Sequence, residues 1–137
     1  MANTVLGVRL DVDGTATMID LEKTESGVDA ALRAALDCRV FDVVRLGRGL
    51  DMWLDDEGLC VGEPVVNEVA TRIAQFHGFT WQPYVGPVVF ASVDDEGETR
   101  SLVGEQIAAL LATAHVGGLA VLDASLDAVD ETAGVDA

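Results

Sequence analysis

The amino-acid sequence predicts a single two-layer α+β domain, in which a mainly antiparallel sheet packs against about three helices; a mixed sheet is an alternative. The length of 137 residues, with 50% hydrophobic residues, is typical of one domain with an ordinary core. Two apolar, strand-like segments each end in the tetrapeptide Asp-Asp-Glu-Gly, at 55–58 and again at 94–97. Asp and Gly favour tight turns, and a helical pattern follows each copy. We therefore expect two strand-turn-helix units to frame the fold.

The first part of the chain predicts a β-hairpin followed by a helix. Residues 4–10 and 15–21 are apolar segments on either side of Asp11-Val-Asp-Gly14, which is typical of a hairpin with an Asp-Gly turn. Ser26 is the expected N-cap of a helix over 28–37, where apolar residues recur at helical spacing.

A second hairpin is predicted next. Residues 38–46 are rich in β-branched residues and have no helical period, which indicates a strand. Gly47-Arg48-Gly49 is the expected turn into a strand that carries Trp53 and ends at the first Asp-Asp-Glu-Gly. Residues 59–61 predict a further short strand.

The next helix is predicted to have Pro64 in its first turn and to end at His77, with Gly78 as its stop. A strand over 85–93 follows it. The predicted buried face of the helix comprises Val66, Val69, Ala70, Ile73, Ala74 and Phe76.

The last predicted helix, over 104–115, is apolar on all sides, which indicates that a second surface covers it. A homodimer and cover by the C-terminal tail are both consistent with this pattern. We assign 1–116 to the domain and 117–137 to an acidic, weakly structured tail, because that segment has five acidic residues and no basic one.

The charge balance restricts the classes of partner. The chain has 24 acidic and 8 basic residues, a net charge of −16. Such a charge disfavours direct nucleic acid binding and anionic membranes, and favours a partner protein with a basic surface. Solubility alone, in a salt-adapted protein or one from a GC-rich genome, explains the charge equally well.

Cysteine usage and hydropathy predict a cytoplasmic protein. Cys38 and Cys60 lie among apolar neighbours and do not form a disulfide framework, so we expect free thiols in a reducing compartment. Apolar runs are too short for a membrane span, and Gly7 and Arg9 interrupt the apolar start of the chain.

Two groups of side chains are candidates for binding. One is an acidic surface formed by the two turns, comprising Asp55, Asp56, Glu57, Asp94, Asp95 and Glu96. Its carboxylates lack the spacing of a calcium loop, so we assign no metal site. The other is an aromatic loop with Phe79, Trp81 and Tyr84. Arg45, Arg48 and Arg72 are the candidates for a local phosphate site, and Arg48 is the one assigned to the binding group. A loop folded over the core is the alternative interpretation of these aromatics.

The string Leu10-Asp-Val-Asp-Gly-Thr15 resembles the first motif of haloacid-dehalogenase-type phosphatases, whose first Asp is a nucleophile beside magnesium. That family also requires a lysine further along the chain, and Lys23 is too close to the motif. His77 and His115 fall at predicted helix ends and have no nucleophile assigned to them. We therefore assign no catalytic residue and no cofactor.

Two longer segments, 53–67 and 86–107, carry a family resemblance. Their features are the Asp-Glu-Gly turn, the string Gly62-x-Pro64-x-x-Asn67, and Ser101-Leu-x-x-Glu-Gln106. In these features the chain resembles the domain-of-unknown-function family numbered thirty-eight forty-six, found in phages, plasmids and their hosts. The resemblance implies a small accessory protein of a mobile element, and it implies no catalytic residues.

The leading functional hypothesis is a non-enzymatic acidic accessory protein of a phage or mobile element that binds and modulates a host protein in the host cytoplasm. Its specific form is a DNA mimic or counter-defence factor. The alternatives are a module that binds or sequesters a small ligand such as a nucleotide, and a haloacid-dehalogenase-like phosphatase.

Overall fold

The computed structural model describes residues 3–57, 63–80 and 82–119, with the backbone alone from 114 to 119. The strands and helices in chain order are β1 (Thr4–Leu10), β2 (Ala16–Glu22), α1 (Asp29–Leu36), β3 (Phe41–Gly47), β4 (Leu50–Asp55), α2 (Glu68–Phe76), β5 (Val88–Val93), β6 (Thr99–Arg100) and α3 (Gly104–Leu119).

The strands form one sheet in the order β2-β1-β5-β4-β3, and β6 pairs with the end of β5. Each described pairing is antiparallel. The predicted α+β domain with an antiparallel sheet and three helices is confirmed, and the mixed alternative is not formed by the described strands.

Helices cover both faces of the sheet, so the prediction of two layers is wrong. In β5, Val88 and Phe90 pack into the core cluster that contains α2 and α3 residues, whereas Val89 and Ala91 pack into the cluster that contains α1 residues. Successive strand residues face opposite sides of a sheet. A continuous apolar run such as Val88 to Ala91 therefore indicates a strand that is buried on both faces, which gives three layers.

The start of α1 differs from the prediction. Val28 occupies the N-cap position without a side-chain bond to the helix, and Ser26 does not cap it. Instead, Thr24 organises the preceding turn, since its hydroxyl accepts the Ser26 N–H at 3.2 Å. A Ser can cap a helix only from the position next to the first turn, and Ser26 lies too early.

The start of α2 also differs. Asn67 is the N-cap, because its side chain accepts the Ala70 N–H at 3.0 Å, and Pro64 lies before the helix. Val66 is consequently not on the helix face; it forms an isolated bridge with Val85 and is 40% exposed.

At the other end of α2, the prediction that Phe76 belongs to the core is wrong, since Phe76 is 83% exposed. The chain reverses at Gly78, where φ is 96°. Phe79, which follows this turn, packs against the core cluster. The core therefore contains Phe79 and not Phe76, which the helical period had assigned to it.

The predicted strand over 59–61, Cys60, Trp81 and the tail from 120 to 137 lie outside the described residues. The last helix continues past its predicted end at residue 115 to Leu119. In the described part of that helix Leu110 is buried and Leu111 is 40% exposed. No described helix is long and apolar enough to span a membrane.

Candidate functional site

A cleft of about 360 Å³ lies at the edge of the sheet beside β3. This size is at the lower end of the range for small-ligand pockets, about 300–1,000 Å³. We call it the β3 cleft, and it is lined by Asp42, Val43, Val44, Arg45, Leu54, Phe79, Gln82 and Tyr84. Its first four lining residues are consecutive, and their side chains alternate between the two faces of the sheet. The cleft therefore follows the edge of the strand itself.

Alternate backbone groups of β3 point away from β4 at this edge. The Asp56 N–H donates to the Val40 carbonyl at 2.9 Å. Backbone hydrogen bonds between two antiparallel strands recur at every second residue, so the even-numbered residues of β3 bond to β4. The N–H and C=O groups of Phe41, Val43 and Arg45 consequently point outward. One of these donors is already occupied, because the Asp42 carboxylate accepts the Val43 N–H at 2.8 Å.

The aromatic side of the cleft is firmly held. Tyr84 is 3% exposed and belongs to the core cluster, so its ring forms the base of the cleft and is not a free stacking surface. Its N–H donates to the Thr71 hydroxyl at 2.9 Å, and its carbonyl accepts the Asn67 N–H at 2.8 Å. Burial raises the pKa of the Tyr84 phenol, which keeps it neutral.

The four predicted binding residues are only partly brought together. Phe79 and Tyr84 both line the β3 cleft, and Trp81 lies outside the described residues. Arg48 lies in the β3–β4 turn with φ of 57°, beyond the far end of β3, and does not line the cleft. Arg45 is among the lining residues, but its side chain lies on the opposite face of β3 from that of Val44, beside its cross-strand partner Asp51. Arg48 therefore does not line the same cleft as Phe79 and Tyr84.

The two acidic turns lie at opposite ends of the sheet. The antiparallel register pairs Leu50 with Ser92 and Leu54 with Val88, so the turn after β4 is next to the start of β5, and the reverse holds for the turn after β5. The predicted single acidic surface is therefore two clusters: the first acidic turn, Asp55 to Glu57, and the second acidic turn, Asp94 to Glu96.

The first Asp of each copy has the same structural role. Asp55 accepts the Glu57 N–H at 2.8 Å, and Asp94 accepts the Glu96 N–H at 2.9 Å. These bonds are turns in which an Asp side chain mimics the backbone. Hydrogen bonding from the Glu98 backbone, followed by the Arg100 side chain, lowers the pKa of Asp94.

Half of the eight basic residues of the chain are ion-paired within the described structure. The pairs are Arg9–Asp11, Lys23–Glu98, Arg39–Glu57 and Arg100–Asp94. Each pair cancels one positive and one negative charge. The excess negative charge therefore lies on the remaining exposed carboxylates. Asp56, Asp95 and Glu96 are among them.

Asp51 is a buried carboxyl group that the sequence analysis missed. It is 1% exposed, and its Oδ1 has no hydrogen-bond partner among the described residues. Burial raises the pKa of Asp51, and the charge of Arg45, its cross-strand neighbour, opposes this shift. The available signal was an Asp inside the apolar run Leu50 to Leu54.

The model of the family described as Domain of unknown function (DUF3846) matches residues 6–115, which is more than half of the chain. The chain belongs to the DUF3846 family. Comparison with curated proteins and with solved structures finds no match.

Asn67, the last residue of the first DUF3846 string, connects three parts of the fold. It is fully buried, and its side-chain amide donates to the carbonyls of Leu10 at 3.1 Å and Gly86 at 2.9 Å. The side-chain oxygen caps α2 through the Ala70 N–H. One side chain therefore joins β1, α2 and the loop before β5.

The second DUF3846 string also holds elements together. Ser101 accepts the Leu6 N–H at 2.9 Å, which ties the chain after β6 to β1. Gln106 accepts the Val103 N–H at 2.9 Å, as in a capping box, and donates to the Gly49 carbonyl at 3.3 Å. Asn67, Ser101 and Gln106 thus stabilise the fold through their side-chain hydrogen bonds.

The phosphatase-like string forms the predicted hairpin turn of this DUF3846 protein. Asp11 pairs with Arg9 at 3.4 Å, and Asp13 accepts the Thr15 N–H at 2.9 Å, a bond that lowers the pKa of Asp13. Lys23 follows β2 at the opposite end of this hairpin and pairs with Glu98. In the described residues no group of three His, Cys, Asp or Glu side chains is arranged to hold a metal ion.

Proposed function

We propose that this protein is a non-enzymatic acidic accessory protein that binds and modulates a partner protein with a basic surface. The observation that carries the proposal is the placement of charge: carboxylates cluster at both ends of the sheet, while half of the eight basic residues are ion-paired. Strands of six residues separate these clusters by about 20 Å. Such a field steers association with a complementary basic surface.

The family resemblance supports a setting for this activity. The resemblance implies an accessory protein of a phage or plasmid that acts in a host cytoplasm, where nucleic-acid enzymes offer basic surfaces. A protein that presents carboxylates in place of phosphates occupies such a surface and excludes DNA from it. The specific form of the proposal is therefore a DNA mimic that acts in counter-defence.

Capture from a host lysate at physiological salt, with the full chain immobilised, tests the proposal. The variant Asp56→Asn/Asp95→Asn/Glu96→Gln removes three exposed carboxylates and leaves the turn-forming Asp55 and Asp94 in place. We expect it to lose a partner that the wild-type protein retains, and we expect duplex DNA to displace that partner.

The matched control is Asp20→Asn/Glu22→Gln/Glu25→Gln, which removes the same charge beside β2. Retention by this control and loss by the first variant support binding through the acidic turns. Equal retention by all three proteins contradicts it, as does an absence of any partner together with an unaltered host on expression.

A second candidate function is the binding of a small ligand, such as a nucleotide, in the β3 cleft. It is favoured by the presence of Phe79, Tyr84 and the exposed amide Gln82 in one concavity. A nucleotide panel in a thermal-shift assay tests it, because a ligand that binds only the folded state raises the melting temperature. A rise that Gln82→Ala abolishes supports this function, and no rise at millimolar concentration contradicts it.

A further inference from the structure

We propose that the outer edge of β3 binds an extended segment of the partner as an added strand, with an apolar side chain of that segment in the β3 cleft and a basic side chain beside Asp42. The proposal rests on the proposed function, since it specifies how a basic partner is recognised. Strand addition draws its affinity from main-chain hydrogen bonds and its specificity from pockets for alternate side chains.

The backbone of β3 offers those main-chain bonds. β3 is the last of the described strands in the sheet order, and Phe41, Val43 and Arg45 direct their N–H and C=O groups away from β4. Asp42 and Arg45 are exposed. Edge strands with outward donors and acceptors are templates for pairing with another chain.

The β3 cleft offers the pocket. Val44, Leu54, Phe79 and Tyr84 give it an apolar side, and Asp42 is two residues from Val44 on the same face of the strand. In an added strand, side chains two residues apart also share a face. An apolar side chain opposite Val44 therefore places the side chain two positions away next to Asp42.

Asp42 makes this edge selective for basic segments. Its carboxylate occupies the Val43 N–H at 2.8 Å, so a neutral segment meets an edge with one donor blocked. A Lys or Arg of the incoming strand pairs with the carboxylate, draws it off the edge and frees the Val43 N–H. The strongly negative charge of the chain, −16, adds to this preference.

The probe that tests the proposal is the blocked peptide Thr-Lys-Thr-Phe-Thr-Lys-Thr, which places Lys two residues from Phe on either side and so fits both strand directions. Its control has the same sequence and charge with N-methylated amides on Phe and on the two Thr that flank it, so that bonds to β3 are lost in either strand direction. Amide chemical shifts of the ¹⁵N-labelled full chain report the site. We expect the first peptide to shift the amides of β3 and the control to bind about threefold to tenfold more weakly, the effect of losing one or two net hydrogen bonds.

Two pairs of variants locate the binding. Arg45→Pro and Arg45→Ala both remove the cation, but only the Pro variant lacks the outward N–H; its place on an edge strand keeps the bonds to β4 intact. We expect Arg45→Pro to bind the peptide about threefold to tenfold more weakly than Arg45→Ala. Asp42→Ala is expected to lose the preference for the Lys peptide over its Gln counterpart, because the Val43 donor is then free for both.

The proposal is overturned if both peptides bind alike with shifts confined to the acidic turns, or if neither binds at millimolar concentration. Either result leaves the proposed function standing, provided that the lysate partner is retained. The peptide control needs no substitution in the protein, so the test remains decisive if Arg45→Pro does not fold.

Discussion

The side-chain amide of Asn67 donates a hydrogen bond to the carbonyl of Leu10 at 3.1 Å, across 57 positions of the chain. Leu10 ends β1 and Asn67 begins α2, so this contact fixes the helix over one end of the sheet. It also fixes the loop that carries Tyr84 into the β3 cleft, since the Asn67 N–H donates to the Tyr84 carbonyl.

Replacement of Asn67 is therefore expected to destabilise the domain. Asn67→Ala removes three hydrogen bonds made by a fully buried side chain, a loss of about 3 kcal/mol in the free energy of unfolding. Chemical denaturation measures it, with Asn3→Ala at an exposed position as the control. Equal denaturation midpoints for the two variants would show that the side-chain hydrogen bonds of Asn67 do not stabilise the domain.

Asp51 predicts an unusual pH dependence of stability. Because burial raises the pKa of Asp51 in the folded state, its neutral form is favoured there. Below the unfolded pKa of about 3.9, Asp51 is protonated in both states and does not lower the free energy of unfolding. As the pH rises from that value to the raised folded pKa, the unfolded chain ionises more readily than the folded protein, so the free energy of unfolding falls. Asp51→Asn should thus be more stable than the wild-type protein at neutral pH and similar to it near pH 3.

Thermal melts across this pH range measure the effect. Asp95→Asn removes the same charge from an exposed turn and serves as the control for the general relief of repulsion in an acidic protein. A gain at neutral pH that is no larger for Asp51→Asn than for Asp95→Asn would contradict a buried, unpaired carboxyl group.

Gly7 is required by a close approach of two strands. A Cβ atom at this position would lie 2.8 Å from the carbonyl oxygen of Phe90 in β5. Gly7→Ala is expected to cost about 1–3 kcal/mol, the usual cost of overpacking. Gly104→Ala is the control, because its Cβ meets nothing within 4 Å and Ala favours a helix. A stable Gly7→Ala variant would mean that β1 and β5 separate easily.

Phe76 and Phe79 provide a test of which ring belongs to the core. Phe79 packs against the core cluster, whereas Phe76 is 83% exposed. We expect Phe79→Ala to lower the free energy of unfolding by roughly 2 kcal/mol, because a partly buried ring costs less to remove than a fully buried one. Phe76→Ala should change it little. A larger loss of stability for Phe76→Ala than for Phe79→Ala would contradict this assignment and favour Phe76 as the core residue.

Local patterns predicted most of the strands and helices. The Asp-Gly hairpin, the helix that ends before Gly78 and the strand that carries Trp53 each follow from a few neighbouring residues, and the structure confirms them. The exceptions arise where tertiary contacts compete with local signals. Phe76 has the helical spacing of a core residue, yet the chain reverses at Gly78 and Phe79 packs against the core instead.

The arrangement of elements was less accessible from the sequence. Antiparallel pairing of β4 with β5 separates the two acidic turns, and a sequence does not specify that pairing over a parallel one. The β3 cleft combines residues from 42 to 84, so only the aromatic part was found. The third layer had a signal in the continuous apolar runs of β4 and β5, which are typical of strands covered on both faces.

Binding of a basic partner through the acidic turns should depend on salt, and the affinity for the partner captured from the lysate measures this dependence. Exposed charges are screened as ionic strength rises. We expect the affinity to fall with added salt, and to fall less steeply for Asp56→Asn/Asp95→Asn/Glu96→Gln than for the wild-type protein. An affinity that is independent of salt, and equal for the two proteins, would contradict binding through the acidic turns.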